Sequence, residues 1–251
     1  MSAHYTSCGI ILCAALAASC RSLPPPPAHS FLREPGAPEV NLRAPDLYRV
    51  RLDTTRGVIV IEVHRDWAPR GADRFYNLVR AGYYDDSRFF RVIGGKWAQF
   101  GIAGDPETSA AWRHRTFPDD PRVTSNQQGT VAFAFAVSNG RTTEVFINLR
   151  DNAATHDAQP FVPFGRVIAG LDQADRLNAE YGEAAGGGIR GGRQAPLFEA
   201  GNAYLDRNFP RLDRLVRATI SEPPAREAGH RVSLLPAQTA SPYAPGRARS
   251  I

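Results

Sequence analysis

Residues 88–106 read RFFRVIGGKWAQFGIAGDP. Two β-prone runs, RFFRVI and WAQFGI, are joined through Gly94 and Gly95, so the stretch reads as a short strand and its return. Side chains alternate faces along a strand, and on such a pair Arg91 and Gln99 can share one surface. Taken alone, Arg91 is an exposed strand arginine with an ordinary salt bridge. Lys96 is the odder residue, a charge set into an apolar run.

The pattern outward from this stretch sets the fold class. YRVRL at 48–52 alternates apolar and charged residues, DTTRG supplies turn chemistry, and VIVIEV at 58–63 follows as a β-branched run, which together predict a hairpin. WAPRGADRFYNLVRAGYY at 67–84 predicts an amphipathic helix, with Pro69 near its start, Ala72, Phe75 and Val79 on one face and Gly82 as its stop. Short β-rich runs follow at GTVAFAFAV, EVFINL and FVPFGRVI, then a second helix over LDQADRLNAEYG ending at Gly182. EAAGGGIRGGR at 183–193 has neither the preceding strand nor the following periodic helix of a phosphate loop, and is read as a flexible surface loop. NAYLDRNFPRLDRLVRATI closes the body as a short helical turn and a last strand ending near Ile220. Many short strands without βα alternation predict an antiparallel barrel.

Composition bounds the rest. A chain of 251 residues with 43% hydrophobic content can bury a sizeable core. Residues 46–220 form the expected single domain. Residues 21–45 and 221–251 are rich in Pro, Ala, Ser and Arg without sustained periodicity, and are expected to be an extended linker and a disordered tail, both dispensable for the fold. The net charge is +5, but arginines are spread among acidic residues and no basic face interleaves with aromatics, so no nucleic-acid partner is expected. Cys8, Cys13 and Cys20 all precede residue 21, leaving the body without disulfide or thiol chemistry. CGIILCAALAASC at 8–20 is an apolar run of signal-peptide length, which predicts export to the cell envelope. LAASC resembles a bacterial lipobox. Two outcomes follow: lipid attachment at Cys20, giving a membrane-anchored protein, or simple cleavage nearby.

The segments TTRGVIVIEVHRDWAPRGADRFYNLVRAGYYDD, RFFRVIGGKWAQFGIAGDP, GTVAFAFAVSNGRTTEVFINLRDN, PFGRVIAGLD and EAGNAYLDRNFPRLDRL, in this order and spacing, resemble the cyclophilin-type peptidyl-prolyl cis-trans isomerases of the bacterial exported kind. The resemblance implies a mostly β fold, an eight-stranded antiparallel barrel capped by two helices. It also implies a monomer that assists folding by rotating X–Pro bonds in proline-containing polypeptides, with no nucleophile, metal or cofactor. Arg91 is then the donor to the prolyl nitrogen, Gln99 the neighbour holding its guanidinium, and Phe146 the apolar floor of the proline pocket. Phe133, Ala134 and Phe135 lie on the strand that supports the substrate backbone, and Phe161 occupies a variable histidine position.

Several pocket positions depart from the family. Lys96 stands in place of a phenylalanine, Trp97 of a methionine or valine, Glu144 of a glutamine and Phe135 of an asparagine, while Thr155 and His156 fall near a tryptophan–leucine pair. Lys96 either pairs with Glu144 across the pocket or extends outward along its stem. In both cases a weakened proline slot and reduced turnover are expected. A non-catalytic proline-peptide-binding module is the alternative, and a purely structural envelope lipoprotein a third. His64, His114, His156 and His230 lack metal-ligand spacing and, with Asp119 and Asp120, are read as solvated surface.

Overall fold

The computed structural model describes residues 28–188, 190 and 192–221. The expected export signal with Cys20, and the expected tail beyond Ser221, lie outside the described residues.

The hairpin forms where turn chemistry interrupts the two alternating runs. β1 (Leu47–Thr54) and β2 (Gly57–His64) pair antiparallel from Leu47↔His64 to Thr54↔Gly57. Tyr48, Val50 and Leu52 of β1 and Ile59, Ile61 and Val63 of β2 are buried in one core. α1 (Pro69–Arg80) buries Ala72, Phe75, Leu78 and Val79 against it, and Gly82 takes the positive φ of 73° that ends the helix. The Tyr48 hydroxyl donates to the Ala72 carbonyl at 2.7 Å, tying hairpin to helix.

The remaining strands are β3 (Ser87–Arg88), β4 (Arg91–Ile93), β5 (Trp97–Phe100), β6 (Thr130–Phe133), β7 (Val145–Asn148), β8 (Pro163–Ala169) and β9 (Arg214–Ser221), with the short helices α2 (Pro106–Trp112) after β5 and α3 (Ala153–His156) after β7. All ladders are antiparallel, in the order β3-β9-β1-β2-β8-β6-β7-β5-β4. The fold is therefore mostly β, as expected, with a sheet curled around the core and helices packed on it. Among the described residues it has nine strands in place of the expected eight, because the pair Ser87 and Arg88 adds a short rung against β9.

Three elements differ from expectation. The second helix stops early, as α4 (Leu171–Asp175), because Asn178 is drawn onto the approach to β9: its backbone N–H donates to Asp213 at 2.7 Å and its side chain to the Arg211 carbonyl at 2.9 Å. The expected short helical turn is instead α5 (Ala195–Asn208), bent at Gly201, where φ is 53° and Asn202 donates to the Gly104 carbonyl at 2.9 Å. The linker reading fails for residues 30–45, which pack on the domain. Val40 and Ala44 are each 2% exposed within the main core, the Ala44 N–H meets Asp73 at 2.8 Å, and the Trp112 indole donates to the Leu32 carbonyl at 2.7 Å. Two buried apolar residues without a period leave no pattern to detect.

Candidate active site

Strand register assembles the site. Arg91 faces Gln99 across β4 and β5, Gln99 faces Phe146 across β5 and β7, and Phe146 faces Ala132 across β7 and β6. The alternate residues Val92, Ala98, Val145, Ile147 and Val131 point into the main core, so the Arg91–Gln99–Phe146–Ala132 row lies on the opposite face of the sheet.

Arg91 is held along two edges. Its NH1 donates to Gln99 Oε1 at 3.0 Å, while Nε and NH2 grip the Glu183 carboxylate at 3.0 and 2.6 Å. The guanidinium sits 5.0 Å from the Trp97 ring centre, and Gly188 lies so close that a Cβ there would be 3.3 Å from its Cζ. Hydrogen bonds from Arg91 hold the Glu183 carboxyl below the usual carboxylate range, so the pair is ionic. The guanidinium's remaining N–H bonds, on NH1 and NH2, are free of these two partners.

Behind Gln99 lies Glu144, 1% exposed. Its Oε2 accepts from Gln99 Nε2 at 2.6 Å and from Gln194 Nε2 at 2.9 Å, while Oε1 is buried without a partner among the described residues. Burial pushes the Glu144 carboxyl up to about 7.

In front of this row a cleft of about 240 Å³ opens to solvent. Phe146, Phe161, His156 and Trp97 form its aromatic wall: Phe146 and Phe161 meet edge to face at 5.4 Å, and His156 lies 4.8 Å from Phe161 and 5.5 Å from Trp97. Burial holds the His156 imidazole below its ordinary value, which favours the neutral ring. Ala134 and Phe135 also line the cleft, and Arg190 lies 4.5 Å over Phe135 while donating to Gln159 at 2.7 Å.

Four sequence readings need correction here. Phe133 is turned to the other face and packs 5.1 Å from both Phe117 and Phe164 in the core, away from the cleft. Lys96 sits exposed in the β4–β5 turn, outside the cleft lining, and Gln99 and Gln194 take the Glu144 contacts expected of it. His156 belongs to the cleft, and His64 stacks on Trp67 at 4.2 Å, so neither is merely solvated. Asp120 receives the Gly71 N–H at 2.9 Å at the start of α1, and Asp119 bonds the buried Arg141, which lies 5.0 Å over Phe135.

Glu183, Gly188, Arg190 and Gln194 were invisible as site residues. They lie in or beside the glycine run read as a surface loop, and Glu183 is 92 positions from Arg91. Only the folded chain brings them together.

The cleft places hydrogen-bond donors of a fixed cation beside an apolar floor, a surface suited to a compact apolar ring next to a peptide bond. Residues 49–189 match the family described as "Cyclophilin type peptidyl-prolyl cis-trans isomerase/CLD". The chain is 30% identical over 159 residues to peptidyl-prolyl cis-trans isomerase cyp18 of Streptomyces antibioticus, covering 59% of this chain and 91% of that one. It is also 30% identical over 158 residues to peptidyl-prolyl cis-trans isomerase-like 4 of Cryptococcus neoformans, where the match covers 55% of this chain and spans only 31% of the relative's length. Its fold is similar to the crystal structure of a cyclophilin type peptidyl-prolyl cis-trans isomerase from Cryptosporidium parvum, with a TM-score of 0.52 at 18% identity, covering 71% of this chain and 99% of that one. A family match running from β1 through β8, over strands that carry both Arg91 and the aromatic floor, makes this chain a member of the cyclophilin-type peptidyl-prolyl cis-trans isomerase family.

Proposed function

We propose that the chain catalyses cis-trans rotation of X–Pro bonds in polypeptides of the cell envelope, reached by export through residues 1–20, with Cys20 as the point of lipid attachment. The observation that carries the catalytic part is Arg91, fixed by Gln99 and Glu183 with donors still free among the described residues, beside the Phe146 floor. An amide resists rotation by about 18–20 kcal/mol because the nitrogen lone pair is delocalised into the carbonyl, and X–Pro bonds turn over only in tens to hundreds of seconds. In the twisted state that lone pair sits on the prolyl nitrogen. A donor already oriented at that nitrogen binds the twisted form better than the planar one, which is what lowers the barrier. The proline ring rests on Phe146 and Phe161, while Trp97 and His156 exclude water from one side. With Lys96 outside the cleft, its charge does not enter the apolar slot, and we infer ordinary rather than reduced turnover.

One observation favours a binding module instead: Glu183 engages two nitrogens of Arg91 and withdraws part of its charge. Two measurements on an alanine-proline tetrapeptide separate the readings. Accelerated cis-trans exchange together with saturable binding supports the isomerase, and binding with exchange at the uncatalysed rate leaves the binding module. The envelope part is tested by mass spectrometry of the N-terminus from the native host; a chain that begins at Met1, or at a Cys20 without fatty acid, removes export or the anchor respectively.

A further inference from the structure

We propose that Glu144 is a positioning residue of this site: its carboxylate dictates which end of the Gln99 amide meets Arg91, and so couples turnover to its own ionisation. The inference rests on the isomerase reading above and concerns a residue that touches no substrate.

A primary amide is ambiguous, since one end accepts and the other donates. Gln99 is pinned between two partners that are not. The Arg91 guanidinium only donates, and an ionised carboxylate only accepts. With Oε1 toward Arg91 at 3.0 Å and Nε2 toward Glu144 at 2.6 Å, both contacts are satisfied. With the amide reversed, N–H would oppose N–H at one end and oxygen would oppose oxygen at the other. A glutamine at position 144 could offer either end and would tolerate both orientations. Glutamate permits one.

The same oxygen also reaches the loop beside Arg91, because the Gln194 amide that it holds lies 3.5 Å from the Gly187 carbonyl, next to Gly188. Gln194 donates to Glu144 Oε2 at 2.9 Å and stands at the start of α5. It directly follows the segment whose Glu183 and Gly188 flank the guanidinium. A single buried carboxylate therefore ties down both the strand side and the loop side of the cation. Its Oε1 is buried without a partner among the described residues, which leaves that atom to take a proton without displacing either amide. Protonation then replaces two charge-assisted bonds by neutral ones of about half the strength.

Among the described residues, the groups that act on Glu144 are few. Arg91 on β4 is a permanent cation, and Tyr83, between α1 and β3, is pushed up to about 12 by burial and stays neutral. Gln99 and Gln194 do not ionise. Burial brings Glu144 itself to about 7, so both of its forms are populated near neutrality. In the cleft, His156 also titrates, but on the acid side of its ordinary value.

The test is the pH dependence of kcat/KM for an alanine-proline tetrapeptide, measured with the full chain, alongside side-chain amide NMR of Gln99 and Gln194. We expect kcat/KM to fall about tenfold as pH drops through 7 while peptide affinity holds. Both amides should titrate with that same midpoint. Glu144→Gln should abolish the midpoint in both readouts, and Glu144→Leu should lower kcat/KM without changing affinity. His156→Asn should retain the midpoint near 7. A midpoint that survives in Glu144→Gln, or amide resonances that ignore pH across 7 in the wild type, overturns the proposal. Should the wild type prove to bind peptide without turnover, the isomerase reading fails on that result, and the amide titration still decides whether Glu144 orients Gln99.

Discussion

Glu144 and Glu183 are both carboxylates of one site, yet their surroundings push them in opposite directions. Glu183 grips a guanidinium at the surface and is held ionised, whereas Glu144 is enclosed and accepts only from neutral amides. The buried residue makes a testable contribution to stability. Its carboxyl lies near 4.5 when unfolded and about 7 when folded, so between those values the folded chain holds a proton that the unfolded chain has released. Stability therefore falls as pH rises across that window, by a total on the order of 3 kcal/mol. His156 contributes the opposite slope, because its folded value is depressed. Urea unfolding of wild type and Glu144→Gln at pH 5, 6, 7 and 8 isolates the glutamate. The variant is expected to lose the decline, and a constant difference between the two chains at every pH would show that Glu144 does not titrate in this range.

At the scale of elements, the segment before β1 and the bend in α5 carry stability that no periodic pattern announces. Removing residues 28–45 exposes the core beneath Val40 and Ala44 and strips the Ala44 and Trp112 hydrogen bonds, for an expected loss of about 3 kcal/mol. Equal unfolding midpoints for the trimmed and full chains would contradict this packing. Gly201→Ala is expected to cost more than about 1 kcal/mol, since φ is 53° and a Cβ would sit 2.1 Å from the Gly104 carbonyl oxygen. An unchanged midpoint would mean that α5 can straighten. These sites mark where the sequence becomes opaque. The β1–β2 hairpin and α1 are legible because their signals are local: alternation, a turn and a period of 3.6 residues lie within a few positions of one another. That Arg91 and Gln99 share one face of the β4–β5 pair is legible for the same reason, and the structure adds that they lie directly opposite each other. Val40, Asn178 and Glu183 have partners 30 or more positions away, such as Asp213 for Asn178 and Arg91 for Glu183, and their roles exist only in the folded chain.

For the whole molecule, the division of labour runs between two faces of one curled sheet. The inner face, with Phe100, Val145, Ile147 and Phe133, fixes the strands. The outer face uses that rigidity to hold Arg91, Gln99 and Phe146 in a row, and the segment following α4 supplies Glu183 and Gln194 from the other side. On the proposed function such an arrangement needs no nucleophile, since its effect would lie in presenting a donor to a nitrogen whose lone pair emerges only on twisting. The most direct measurement is therefore NMR exchange on an alanine-proline tetrapeptide with wild type and Arg91→Ala, recording turnover and affinity on the same samples. Arg91→Ala is expected to lower kcat/KM by about a hundredfold or more, the scale of losing one preorganised donor, while peptide affinity changes by no more than a few fold. Equal losses in turnover and affinity would make Arg91 a docking residue and rule it out as the donor to the twisting amide.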